Sequence, residues 1–246
     1  MKSIRYGTLL ALLAVAGACN LTEEIYLEPD GSGSIALSFD GSGMLEMAGE
    51  ELLDSTSVAM DSVVYFSEIL EEKKDSIATL PLAEQERLKS LEPYRLRMQS
   101  NPAAGEMLFT LERDFASLAE VEESFNAFQR AGSLDPEPNA GAMPGTPEIY
   151  ESTRVSYRFG DRVFSRRSEI TDSVLHRQRL DSLEGTAMFL SGSTYTLKIH
   201  FPSRIRSASS ETATLSMDGK TLIQEVEFME YLRDPGVLDI RVELEE

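Results

Sequence analysis

Hydrophobic and polar residues alternate over much of this chain, and a period of two is the mark of half-buried strands. Residues 24–40 carry Ile25 and Leu27 on one arm and Ile35, Leu37 and Phe39 on the other. Between the arms, Pro29, Asp30, Gly31, Ser32 and Gly33 supply a turn, so the segment predicts a hairpin with one buried face. A second Asp-Gly-Ser-Gly follows at residues 40–43. Each copy has one Asp, short of the alternating oxygen ligands and closing Glu of a calcium loop, and both read as turns.

Helical and strand patterns then take turns. Residues 44–53 predict a short helix through Met44, Met47, Leu52 and Leu53, and residues 63–66 a brief strand. Ser67 is placed to cap a helix over 68–78, and Pro81 to open the next through Leu82, Leu88 and Leu91, which Pro93 ends. From Tyr94 the period returns to two, with Leu96 and Met98, a turn at 102–105, then Met107, Phe109 and Leu111, a further hairpin. Ser117 and Glu120 have capping-box spacing ahead of Leu118, Val121, Phe125 and Phe128, which form one apolar stripe on a helix. That stripe packs on a sheet as core, or lines a site for an apolar ligand.

Residues 132–148, rich in Pro and Gly, read as a loop or linker. Beyond them, Val155, Tyr157 and Phe159 face Val163 across a turn at Gly160 and Asp161, and Thr171 opens a helix through Leu175, Leu180 and Leu183. Tyr195, Leu197, Ile199 and Phe201 then alternate up to Pro202. Residues 212–216 and 221–228 flank a tight turn at Asp218 and Gly219, and residues 237–244 alternate again. The order predicts an α+β fold: a twisted antiparallel sheet built from hairpins, with helices packed mainly on one face.

The first residues follow a different pattern. Lys2 and Arg5 precede an apolar run from Leu9 to Val15 that is too short to span a bilayer, and Ala16, Gly17 and Ala18 lead to Cys19, the chain's one cysteine. This predicts a lipoprotein signal peptide over 1–18, lipid on Cys19, a tether over 19–24, and a single domain over 25–246. The alternative is an ordinary secretory signal with an incidental thiol. Lipid on the sulfur also accounts for the absence of a second cysteine to pair with it. The formal charge is −19, and losing Lys2 and Arg5 with the leader deepens it by two. So acidic a chain repels nucleic acid and anionic head groups, which leaves acyl chains as its hold on a membrane.

Catalytic options are few. His176 and His200 are the two near-neutral bases and read as solvated residues. No zinc spacing, glycine-rich phosphate loop or Gly-x-Ser-x-Gly elbow is present, and nothing calls for a cofactor or a metal. The acid pairs at Glu50 and Glu51, Glu71 and Glu72, and Glu122 and Glu123 read as solvated helix faces. Arg166 with Arg167, and Arg204 with Arg206, read as surface ion pairs, with an anion clamp as the alternative.

Several stretches resemble uncharacterised envelope lipoproteins of the Bacteroidota type: the Cys19 leader with Glu24 to Gly33, Glu71 to Ile77, and Tyr195 to Pro202 followed by Asp218 to Thr221. In that group, acids soon after the cysteine promote display outside the outer membrane; Glu23 and Glu24 are similar, and periplasmic and surface-exposed positions both stay open. The hairpin at Asp30 to Gly33, the strand ending in Phe201 and Pro202, and the Asp218-Gly219 turn are also similar to the LppM-like lipoprotein domain. That resemblance implies an α+β fold and a lipid-binding role. The expectation is a lipid-anchored, non-enzymatic envelope protein, an interaction or assembly component most consistent with the outer membrane. Its alternatives are a lipid or apolar small-molecule binding module and, last, a carboxylate-based glycan hydrolase.

Overall fold

In a computed structural model the described residues are 20–43, 59–121, 126–127, 152–183, 190 and 192–246. Cys19, the helix expected over 44–53, Phe125, Phe128, the acid pairs at 50–51 and 122–123, and the linker at 132–148 lie outside them.

The fold is α+β and built from antiparallel hairpins, with the strands divided between two sheets. β1 (Asn20–Leu27) and β2 (Gly33–Asp40) form the first hairpin, and β3 (Met60–Tyr65), β4 (Arg95–Asn101) and β5 (Glu106–Phe115) extend that sheet on one side. β6 (Thr153–Gly160) and β7 (Val163–Ile170) start the second sheet. β8 (Thr194–His200), β10 (Thr214–Leu215) and β11 (Thr221–Glu227) complete the first, while β9 (Ile205–Ala208) and β12 (Ile240–Leu244) complete the second. The larger sheet runs β10-β11-β8-β1-β2-β5-β4-β3 and the smaller β6-β7-β12-β9. Among the described strands one pairing is parallel: β1 lies beside β8, from Leu21 opposite Tyr195 to Tyr26 opposite His200.

Alternation does the work the pattern assigns to it. On β1, Leu21, Ile25 and Leu27 point inward, and on β8 Tyr195, Leu197 and Ile199 are wholly buried beside them. Facing them across the core are Val155 and Tyr157 of β6, Phe164 of β7 and Val242 of β12, with Phe164 edge-on to Phe201 at 5.6 Å. The described helices are few: α1 (Phe66–Glu72), α2 (Lys74–Ile77), α3 (Leu82–Lys89), α4 (Ser173–Leu183) and α5 (Phe228–Arg233).

Several boundaries differ from expectation. Residues 20–24, assigned by polarity to a tether, are the first half of central strand β1. The helix expected from Ser67 begins at Phe66, because Phe66 must turn from its strand into the core, and a turn at Lys73 divides it. Pro81 is the residue before α3, and α4 is capped by Asp172, whose Oδ1 accepts from the amides of Val174 and Leu175 at 3.0 and 2.9 Å, rather than by Thr171. The β6–β7 turn falls on Asp161 and Arg162, both at positive φ as a two-residue hairpin requires, while Gly160 is still paired in the strand. After Ser117 the chain makes a single 3-10 turn, Leu118–Glu120, and is extended again at Val121. Arg113 holds the Glu120 carbonyl at 3.4 Å there, so Leu118 and Val121 reach the core from a turn rather than from one helical stripe.

Candidate functional site

A buried polar cluster joins the two sheets. Because side chains alternate along a strand, Glu23 of β1 points inward with its apolar neighbours, and so does Arg166 of β7. Both are fully buried. Tyr157 donates to Glu23 Oε1 at 2.7 Å and Tyr195 donates to Oε2 at 2.8 Å, while Arg166 Nε stands back at 4.0 Å. The guanidinium turns Nη1 toward Ser168 Oγ at 3.1 Å, the Pro235 carbonyl at 3.5 Å and Asp239 at 3.7 Å. Burial alone would lower the Arg166 pKa, and the surrounding Tyr157 and Glu23 outweigh it and raise it. Burial also pushes the Tyr195 phenol well above its ordinary value, with Glu23 adding to the effect. Arg166 is therefore an internal charge, not half of a surface ion pair.

The histidines are also committed to partners. His176 is buried, its Nδ1 3.2 Å from Ser152 Oγ and its Nε2 3.2 Å from the Arg233 carbonyl. His200 lies on the outer face of β8, stacked on Tyr26 at 4.1 Å between ring centres, with Nε2 2.7 Å from Glu24 and Nδ1 3.1 Å from Thr221. Neither is the freely solvated side chain the sequence pattern implied, because each strand or helix face it occupies is crowded by polar neighbours. Among the described residues no group of His, Cys, Asp and Glu could hold a metal ion.

A groove of about 880 Å³ lies on the outer face of the smaller sheet. Arg158, Arg167 and Arg241 line it with Ser156, Ser165 and Ser209, and Asp161 and Asp239 are also in the lining. Arg167, next to inward-facing Arg166, points outward by the same alternation. The groove is basic, in contrast to the apolar stripe that was the sequence-based candidate. Of that stripe, Leu118 and Val121 belong to the core.

No family model matches the chain, and no curated protein matches it. Among solved structures it is similar to the folded domain of the Mycobacterium tuberculosis LppM protein, determined by NMR: 9% identity, 92% of this chain and 88% of that one covered, TM-score 0.38. The functional reading rests on the chain's own residues.

Arg158 and Arg241, which carry the groove, were not singled out from the sequence. Their signal was available in the register of alternation: each occupies a solvent-facing strand position, but only strand pairing brings them to the same residue.

Proposed function

We propose that the chain is a lipid-anchored, non-enzymatic protein of the cell envelope whose two-sheet domain acts as a binding component. The observation that carries this reading is the engagement of its acid-base groups: both histidines and the buried Glu23 are held by internal partners, which gives them structural duties. The leader over 1–18 followed by Cys19 supports anchorage, and the start of β1 at Asn20 would seat the domain directly against the lipid. The groove on the smaller sheet offers such a component a recognition face.

The test is metabolic labelling with a fatty acid combined with membrane fractionation. Wild-type chain should carry label and sediment with membranes, and Cys19→Ser should lose label and become soluble. Unlabelled wild type, or a Cys19→Ser chain that stays on the membrane, overturns the anchor. Hydrolysis of envelope glycans by the purified protein would overturn the non-enzymatic part.

A further inference from the structure

We propose that the outer face of the smaller sheet binds a compact polyanion carrying two or more phosphate groups. The chain as a whole has a formal charge of −19, yet this groove sets arginines around hydroxyls. Strand register dictates their arrangement. Arg158 on β6 and Arg241 on β12 both stand opposite Ser165 of β7, so all three share the solvent face with Ser165 in the middle. With strands about 4.8 Å apart, the Cα atoms of the two arginines are roughly 10 Å apart. Arg167 lies two residues along β7 from Ser165, roughly 7 Å away. It is opposite Ser156.

The result is a triangle of arginine positions, with Ser165 between Arg158 and Arg241 and Ser156 beside Arg167. Each planar fork can donate two parallel hydrogen bonds to a phosphate. The triangle is wider than one tetrahedral anion, which is why the ligand must carry at least two. Phosphate is favoured over carboxylate by its greater charge and its three acceptor oxygens. Among the described residues neither Arg158 nor Arg167 forms an ion pair, while Arg241 shares Glu243 at 3.1 Å. Two acids share the lining, where the arginines still leave a positive excess, and Asp239 lies 3.7 Å from the buried Arg166. Asp239 also accepts from the Ser168 amide and hydroxyl at 2.7 and 2.5 Å, and Asp161 sits in the β6–β7 turn.

The experiment is calorimetric titration of the full-length protein in detergent with tripolyphosphate and with inositol hexakisphosphate. Saturable binding is expected, weakened roughly tenfold by Arg158→Ala and by Arg241→Ala and further by the pair, the loss of about one charged hydrogen bond each. Arg158→Lys, which keeps charge but not the fork, should fall between. Arg204→Ala, outside the groove, should bind like wild type, and unchanged thermal unfolding of the variants shows that their fold is intact. Absence of saturable binding, binding indifferent to the double variant, or equal weakening by Arg204→Ala overturns the site. The site does not depend on the anchor: Cys19→Ser protein should bind equally well, so failed lipid labelling and failed phosphate binding refute different statements.

Discussion

On the outer face of the larger sheet each prominent cation has an acid beside it: Arg95 donates to Glu112 at 2.7 Å and Asp114 at 3.1 Å, Arg97 forks onto Asp61 at 2.9 and 2.7 Å, and Lys198 reaches Glu24 at 2.7 Å. On the outer face of the smaller sheet, Arg158 and Arg167 stand opposite Ser165 and Ser156. Cross-strand position accounts for the contrast. Arg95 is paired with Glu112 and Lys198 with Glu24, so neutralisation is built into the register. Where serine occupies the opposing position, the guanidinium's charge is left for something outside the fold. The smaller sheet neutralises Arg154 in the same way, opposite Glu169 at 3.2 Å, so the contrast is confined to the patch of Arg158 and Arg167, which is organised for a ligand.

The largest effect should come from the interior that both faces share. Removing one member of a buried pair strands the other without compensation, so Arg166→Met should cost about 3–5 kcal/mol in urea unfolding. Combining it with Glu23→Gln should recover most of that, because the amide can keep bonding with Tyr157 and Tyr195 without a buried charge. If the single variant loses little, the two sheets do not depend on this cluster, and each face could be altered without regard to the other.

A smaller effect should separate the larger sheet by pH. Burial tends to raise the Glu24 carboxyl, but Lys198, His200 and Tyr26 outweigh it and hold the pKa below its ordinary value of 4.5. A carboxyl depressed in the folded state contributes stability that is fully present above its unfolded pKa and is lost as pH falls through the folded value. Wild type should therefore lose stability below about pH 4.5 more steeply than Glu24→Gln, as read from urea midpoints. Parallel acid profiles for the two proteins would show that the Glu24 cluster is merely adjacent, not coupled.

Local signals were legible and distant ones were not. The hairpins β1–β2, β4–β5 and β10–β11 could be read because alternation and turn residues lie together in the chain. The parallel neighbourhood of β1 and β8 could not, since Ile25 and Ile199 would alternate identically beside any partner. β9 was hidden because Arg204 and Arg206 flank a single apolar Ile205, and α5 because its six residues directly follow a strand. At the candidate site, Arg166 and Arg167 were noticed as a pair. Their opposite roles followed from period two once they were placed on a strand, whereas the convergence of Arg158 and Arg241 on Ser165 needed the register of three strands.

The smallest effect compares the two faces directly. Arg95 is only 30% exposed and bridges two acids, so Arg95→Gln should cost about 0.5–1 kcal/mol in urea unfolding, less at high salt. Arg167→Gln removes no ion pair among the described residues and should leave stability within about 0.5 kcal/mol of wild type, or raise it slightly by relieving repulsion within the arginine triangle. The same substitution should weaken tripolyphosphate binding, which Arg95→Gln should leave alone. An Arg167→Gln protein that is destabilised as much as Arg95→Gln would mean that Arg167, like Arg154 beside Glu169, is used internally, and the division between neutralised and receptive arginines would fail.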